Sequence, residues 1–306
     1  MIRPLDDISQ TVRLIAEVAG TPEAEVRALL RAEVGEIGTY AHNYMKLHGI
    51  PFYRNSEKLD ALWRDSDAIL YEITVWNTCK AKHKMRAFVS SQLERLGIPQ
   101  GDVFCFGDGL GFDSTWLATR GHRVQYYEPS LRGQQYAQRV FEANGVHVHK
   151  LDGLEDIPDQ SLDAIVCLDV LEHISEPQDL VGQFHKWLKP GGLLFVHAPF
   201  WFIHWSRPTH LKENRCLSGD LKRLYHRQGF SEVDAGFFWD PIMLQKTSNP
   251  SPYRKTPGAG LRIRLSQLLL WIGRWDSTPY NAIARIIARA PKTWRNGIRL
   301  NAPEVR

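Results

Sequence analysis

From Gly101 onward, short β-rich runs alternate with segments of helical period, and this rhythm admits few folds other than a mostly parallel sheet covered by helices on both faces. The strands expected are DVFCF (102–106), RVQYY (123–127), VHVHK (146–150), LDAIVCL (162–168) and GLLFVHA (192–198), with two more near FSEVDAG and PIMLQK. Helices fit between them over 114–120, 131–144, 177–188 and 218–228. The fold class is therefore α/β, a doubly wound seven-stranded sheet, whose ligands bind beyond the carboxyl ends of the strands.

At the end of the first such strand stands FGDGLGFDST (106–115), with three glycines and two aspartates. A strand before it and a helix after it make it a binding turn rather than a surface loop. Gly107, Gly109 and Gly111 allow a tight turn and a close ligand approach, and the following helix offers its first N–H groups. Glu128, twenty residues beyond Asp108 at the end of the second strand, is placed to accept from ribose hydroxyls. The spacing is not that of a dinucleotide fingerprint, and Asp108 would repel an anion, so the ligand expected is neutral or zwitterionic.

The rest of the chain divides around this unit. Residues 1–98 read as a helical cap or substrate lid: TPEAEVRALLRAEVG with Thr21 as N-cap and Pro22 at the first helical position, a second helix over 56–77, and a third over 80–96 ending at Gly97. Residues 99–246 hold the sheet, and 247–306 form a basic amphipathic segment. That last segment has eleven Lys or Arg against two acids, net +9, which leaves 27 against 32, or −5, for residues 1–246. Within it Leu261, Leu265, Leu268, Leu269 and Ile272 share one helical face, and Ile283, Ile286 and Ile287 repeat the trend before Pro291. Such helices either bury their apolar face on the body or a second subunit, as in a homo-oligomer, or lie on an anionic membrane through 261–300; nothing in them suits nucleic acid. Cys79, Cys105, Cys167 and Cys216 form no CxxC pair, which argues against a zinc ribbon or disulfide framework. No apolar run approaches the roughly 20 residues of a membrane span, and the N-terminus lacks a signal core, so a cytoplasmic location, with or without peripheral membrane contact, is expected.

The motif VFCFGDGLGFDS resembles the first motif of class I S-adenosylmethionine-dependent methyltransferases. The likeness continues in order through VQYYEPS, KLDGLEDIPDQSLDAIVCLDVLEHISEP and WLKPGGLLFVHAP, covering about residues 100–245. It implies the cofactor S-adenosyl-L-methionine, with S-adenosyl-L-homocysteine as product. It implies roles as well: Gly107, Gly109 and Gly111 along the methionine moiety with Asp108 near its ammonium, Glu128 on the ribose, Asp152 on the adenine amine between Gly153 and Leu154, and Asp169 at the mouth near the sulfonium. Asp113 stands where the family often has a glycine, and Phe106 where an acid often opens the motif.

The activity implied is methyl transfer to a small-molecule or saccharide acceptor, at oxygen first and nitrogen second; a binding protein that keeps the fold without turnover is the alternative. A hydroxyl acceptor needs a general base, for which His210, His173 and His204 are candidates, His210 foremost. Each has a structural rival: His173 can hold the turn after the fourth strand, and His204 and His210 can fix the loop FWFIHWSRPTHL, which resembles the acceptor cover of related enzymes. Trp201 and Trp205, with Phe200 and Phe202, can stack on an acceptor or pack on the cap. Tyr40, His42, Asn43 and Tyr44 can contact a hydroxylated acceptor or form the joint between cap and core. No metal site is expected, since no ligand spacing is recognisable.

Overall fold

The computed structural model describes residues 2–236, 241–247, 253–276 and 278–300. The first hundred residues fold into α1 (Ile8–Ala19), α2 (Glu23–Gly35), α3 (Thr39–Leu47), α4 (Glu57–Asp65), α5 (Ala68–Thr78) and α6 (Lys80–Arg95). Asp7 caps α1 by accepting from the amides of Ser9 and Gln10. The stretch expected as one helix over 56–77 is two, because the Ser66 hydroxyl donates to the Leu62 carbonyl and accepts from the Ala68 amide, closing α4 and opening α5. Helix α2 starts at Glu23 with Pro22 as its cap residue, one position later than the pattern suggested.

The sheet follows as β1 (Asp102–Phe106), α7 (Phe112–Ala118), β2 (Arg123–Tyr127), α8 (Leu131–Asn144), β3 (Val148–Lys150), β4 (Leu162–Leu168), α9 (Pro177–Trp187), β5 (Leu188–His197), α10 (Leu221–Leu224), β6 (Phe230–Ala235) and β7 (Ile242–Lys246). Its order is β3-β2-β1-β4-β5-β7-β6, with β7 antiparallel to both neighbours and the other pairs parallel. The long helix expected over 218–228 is reduced to α10, capped by Asp220 and flanked by 3₁₀ turns at Lys212–Leu217 and His226–Gln228.

Alternation along the strands separates two cores. Phe104, Phe106, Ile165, Leu194 and Leu244 face α9 and α10 through Val181, Phe184, Leu224 and Tyr225. Val103, Cys105, Val166, Phe195 and Met243 face α6 through Met85, Val89 and Leu93. A third core joins α1, α2, α5 and α8 to the end of the chain through Val12, Ile15, Leu30, Val75, Tyr136, Trp294 and Ile298.

The last sixty residues are not an appendage. They form α11 (Ala259–Gly273), α12 (Thr278–Ile287) and α13 (Lys292–Leu300), and each packs on the body. Helix α11 does so with its less apolar side, burying Ala259, Ile263, Ser266 and Gly273 while Leu261, Leu265, Leu268 and Ile272 stay outside. That overturns the expectation that a packed tail would bury its apolar stripe. The termini of this segment, 248–252 and 301–306, lie outside the described residues.

Candidate active site

Gly107, Gly109 and Gly111 all adopt left-handed φ, of +67°, +57° and +76°, so the chain leaves β1 in a tight turn that side chains would resist. Beneath them Glu128, at the end of β2, is buried, and its carboxylate accepts from the amides of Gly109 at 2.9 Å and Ser130 at 3.0 Å. The Tyr126 hydroxyl donates to the Gly109 carbonyl at 2.6 Å and pins the loop from the same strand. Helix α5 roofs the loop: a Cβ on Gly109 would come within 2.8 Å of the Ile73 side chain, and one on Gly107 within 2.7 Å of Val170.

Asp108 lies elsewhere than expected. Its carboxylate turns into α7, accepting from the amides of Asp113 at 2.9 Å and Ser114 at 2.7 Å, instead of facing a ligand ammonium. The start of α7 therefore does not offer those N–H groups to a phosphate, because Asp108 has taken them. Burial, then the charge of Asp113, raises the Asp108 carboxyl to about 7. Asp113, the departure from the family glycine, has a clear task. It accepts an ion pair from Lys82 at 3.0 Å and another from Arg86 at 2.7 Å, both from the buried side of α6. Burial works against its charge, but the two cations outweigh it and hold the carboxyl below its usual range.

Asp169 closes the same network from the end of β4. Its backbone is left-handed, at φ +64°, which is uncommon for a residue with a side chain. One carboxylate oxygen accepts from the Trp76 indole at 2.8 Å and from Lys82 at 3.1 Å; the other is 2.5 Å from Nδ1 of His197, at the end of β5. Against burial, Lys82 and His197 hold Asp169 far below the ordinary carboxylate range. His197 was not singled out in the sequence, where it reads as the last residue of an apolar strand. The signal was its register: it pairs with Leu168, so its side chain meets the residue that follows.

The sequence candidates for a base separate from this dyad. His210 is buried against the His173 ring, with centroids 4.8 Å apart, and its Nδ1 makes no hydrogen bond. His173 binds the Thr209 carbonyl through Nδ1 at 3.1 Å, the loop-fixing role weighed for it. Burial lowers His173 to about 4, and burial with His173 and Arg207 drives His210 well below the ordinary imidazole range. Glu172 completes the group: ligand atoms of Glu172, His173 and His210 lie within 4.8 Å of one another. His204 is tied to the Ser206 hydroxyl at 2.9 Å.

Trp201 is buried, stacked on Phe202 and tilted on Tyr280 of α12, while Trp205 is exposed. The α3 candidates behave as a joint: His42 Nδ1 meets the Trp205 carbonyl at 2.9 Å, Tyr40 packs on Tyr71, Tyr44 on His48, and Asn43 faces outward. Asp152 is exposed and pairs with Lys150 at 3.1 Å; Gly153 and Leu154 beside it are half-buried. A separate cavity opens beyond His197, lined by Phe200, Leu217, Tyr225, Ile242 and Leu270 with Gln267 of α11.

A protein-family profile described as Methyltransferase domain matches residues 104–196, the span that carries the glycine loop, Glu128 and Asp169. Residues 104–196 of the sheet unit thus match a methyltransferase domain. Curated relatives include the ubiquinone biosynthesis O-methyltransferase of Xanthomonas axonopodis, 29% identical over 138 residues, and that of Pseudomonas savastanoi, 31% identical over 107 residues. These alignments cover 44% and 33% of the chain, and 54% and 46% of the relatives, so the chain spans about half the length of the curated relatives it matches. Solved structures similar to it include a SAM-dependent methyltransferase from Aquifex aeolicus, 14% identical, TM-score 0.44, covering 63% of this chain and 99% of that one. The Burkholderia thailandensis 1,6-didemethyltoxoflavin-N1-methyltransferase, described with S-adenosylhomocysteine bound, is 20% identical with a TM-score of 0.41 over 56% of this chain and 81% of that one.

The residues of this methyltransferase domain fit the cofactor. Glu128 is an acceptor-only carboxylate with spare lone pairs after its two backbone bonds, which suits a pair of ribose hydroxyls. At Gly109 the space a Cβ would need is taken by Ile73, so glycine is what lets α5 close over the loop that Glu128 holds from below.

Proposed function

We propose that the chain transfers a methyl group from S-adenosylmethionine to a hydroxyl of a small, largely apolar acceptor, with His197 rather than His210 as general base. The observation that carries this reading is the Asp169–His197 pair at 2.5 Å, set where β4 and β5 end and beside a cavity with apolar walls. The bound cofactor supplies an electrophilic methyl group on a sulfonium. Glu128 would hold the ribose, Asp152 the adenine amine, and the backbone of Gly107 and Gly109 the methionine end. With its Nδ1 proton directed at Asp169, His197 takes the acceptor's proton at Nε2, and Asp169 stabilises the imidazolium that results. Lys82 and Trp76 keep the Asp169 carboxylate anionic and aimed. His210 suits this task less, because burial leaves it a weak base at neutral pH. The names of the curated relatives favour oxygen over nitrogen as the acceptor atom.

The test is S-adenosylhomocysteine formation from S-adenosylmethionine across a panel of catechols, phenols, saccharides and amines. His197→Ala is expected to lower kcat by about 10² or more on a hydroxyl acceptor while calorimetric affinity for S-adenosylhomocysteine stays unchanged. Full turnover by that variant would remove His197 as the base. Failure of the wild-type chain to bind S-adenosylmethionine would remove the activity altogether.

A further inference from the structure

The outer face of α11 is an apolar stripe that no described residue covers. Leu261, Leu265, Leu268, Ile272 and Trp275 recur at alternate spacings of four and three, and they are 65%, 44%, 53%, 42% and 68% exposed. Trp271, 45% exposed, lies edge-on to Trp275 and widens the stripe. Isolated exposed apolar residues are ordinary, but five along one helix, with Trp275 just past its end, are a surface that water should not face. The helix does not swing this face inward, because its other side is committed. Arg262 is bound to Asp234 at 2.7 Å, the Ser218 hydroxyl donates to the Leu270 carbonyl at 2.7 Å, and Ile263 is packed beneath the sheet helices.

We infer that this face docks on an anionic lipid bilayer, lying in the interface and not crossing it. Charge decides between a bilayer and a second copy of the chain. Residues 253–276 hold five Lys or Arg and one acid, with Arg254, Lys255 and Arg264 exposed. Two such segments laid face to face would set like charges together, whereas anionic headgroups attract each basic residue. The two tryptophans belong at the headgroup boundary, where an indole has an apolar body and a polar N–H. Among the described residues no helix is long and apolar enough to cross a membrane, in keeping with an interfacial contact. The inner side of the same helix supplies Ser266, Gln267 and Leu270 to the cavity beyond His197. Docking therefore brings that cavity next to the lipid.

The full chain is sedimented with vesicles of phosphatidylcholine alone and of phosphatidylcholine and phosphatidylglycerol in equal parts. It is expected to bind the anionic vesicles, to leave them at high salt, and to ignore the neutral ones. Leu265→Glu with Leu268→Glu should lower partitioning at least about tenfold, the loss of two buried leucines being worth more than that. Arg264→Glu should weaken it less, and only at low salt. Both variants lie on the outer surface, so unchanged calorimetric binding of S-adenosylhomocysteine reports that they fold, and keeps the outcome separate from the methyl-transfer reading. No binding by the wild type, or equal binding by wild type and the double variant, overturns the inference. So does a dimer in sedimentation equilibrium that the double variant abolishes, which would assign the face to a second copy.

Discussion

Glu128 shows how one buried carboxylate ties ligand affinity to pH. Burial raises it from 4.5 to about 7, although two backbone amides favour its anion. Ribose hydroxyls would donate to that anion, so binding must expel the proton wherever the residue is protonated. Affinity for S-adenosylhomocysteine should therefore rise as pH rises through about 7 and fall by up to tenfold per unit below it. Calorimetry between about pH 6 and 8 checks this, and Glu128→Gln should flatten the profile. The sign for the free protein is opposite. A raised acid favours the folded state while it is protonated, so the residue's stabilising share is lost as pH climbs from 4.5 through about 7. At this scale the glycines and Glu128 were legible in the sequence because backbone geometry and strand ends announce them. Asp108, Asp113 and His197 were not. Their roles depend on Lys82 and Arg86 arriving from α6 and on β4 lying beside β5, separations that no local pattern carries.

Between elements, the joint of cap and sheet is backbone against backbone. Gly38, at φ +93°, opens α3 directly beneath the loop after β5, where a Cβ would lie 1.8 Å from the Ser206 carbonyl oxygen. Arg207 from that loop donates to the Ile37 carbonyl, and Pro208 accepts from the Tyr53 amide at 2.7 Å. Gly20 is the natural control, since it is equally left-handed at φ +68° with nothing within 4 Å of its missing Cβ. Gly20→Ala should cost only the conformational penalty of about 1 kcal/mol, while Gly38→Ala must also part the joint and should cost clearly more in urea unfolding. Equal losses would mean the joint yields freely. Elements of this kind were readable where the apolar period is clear, as in α2, α6 and α8, even where the cap was misplaced, as at α2. They were misread where a side chain intervened, as Ser66 does between α4 and α5. The face of α11 was read correctly as apolar, but which way it turns was left open, because burial followed the fit of Ala259, Ile263 and Gly273 and not hydrophobicity.

Across the whole molecule the chain closes on itself. Trp294 of α13 is buried among α1 and α2, and its indole donates to the Leu5 carbonyl at 3.0 Å. Ile298 fills the same core beside Val12 and Leu30. Trp294→Ala should cost about 3–5 kcal/mol, the range for truncating a large buried aromatic, and should loosen α1 and α2 first in hydrogen exchange. If the loss fell on the sheet instead, the clasp would be incidental. The division into three sequential units, natural from composition, is thus crossed in space by the last of them.

That clasp also sets an order of events during synthesis. Helices α1 and α2 share a core with α13, which follows them only after the whole sheet, so during synthesis they wait with the places of Trp294 and Ile298 unfilled until that helix emerges. The sheet, whose contacts are nearly complete by Lys246, can assemble in the interval. A nascent chain of this protein would carry a finished ligand fold beneath an unfinished lid, and its vulnerability to proteolysis should persist until α13 has emerged and docked.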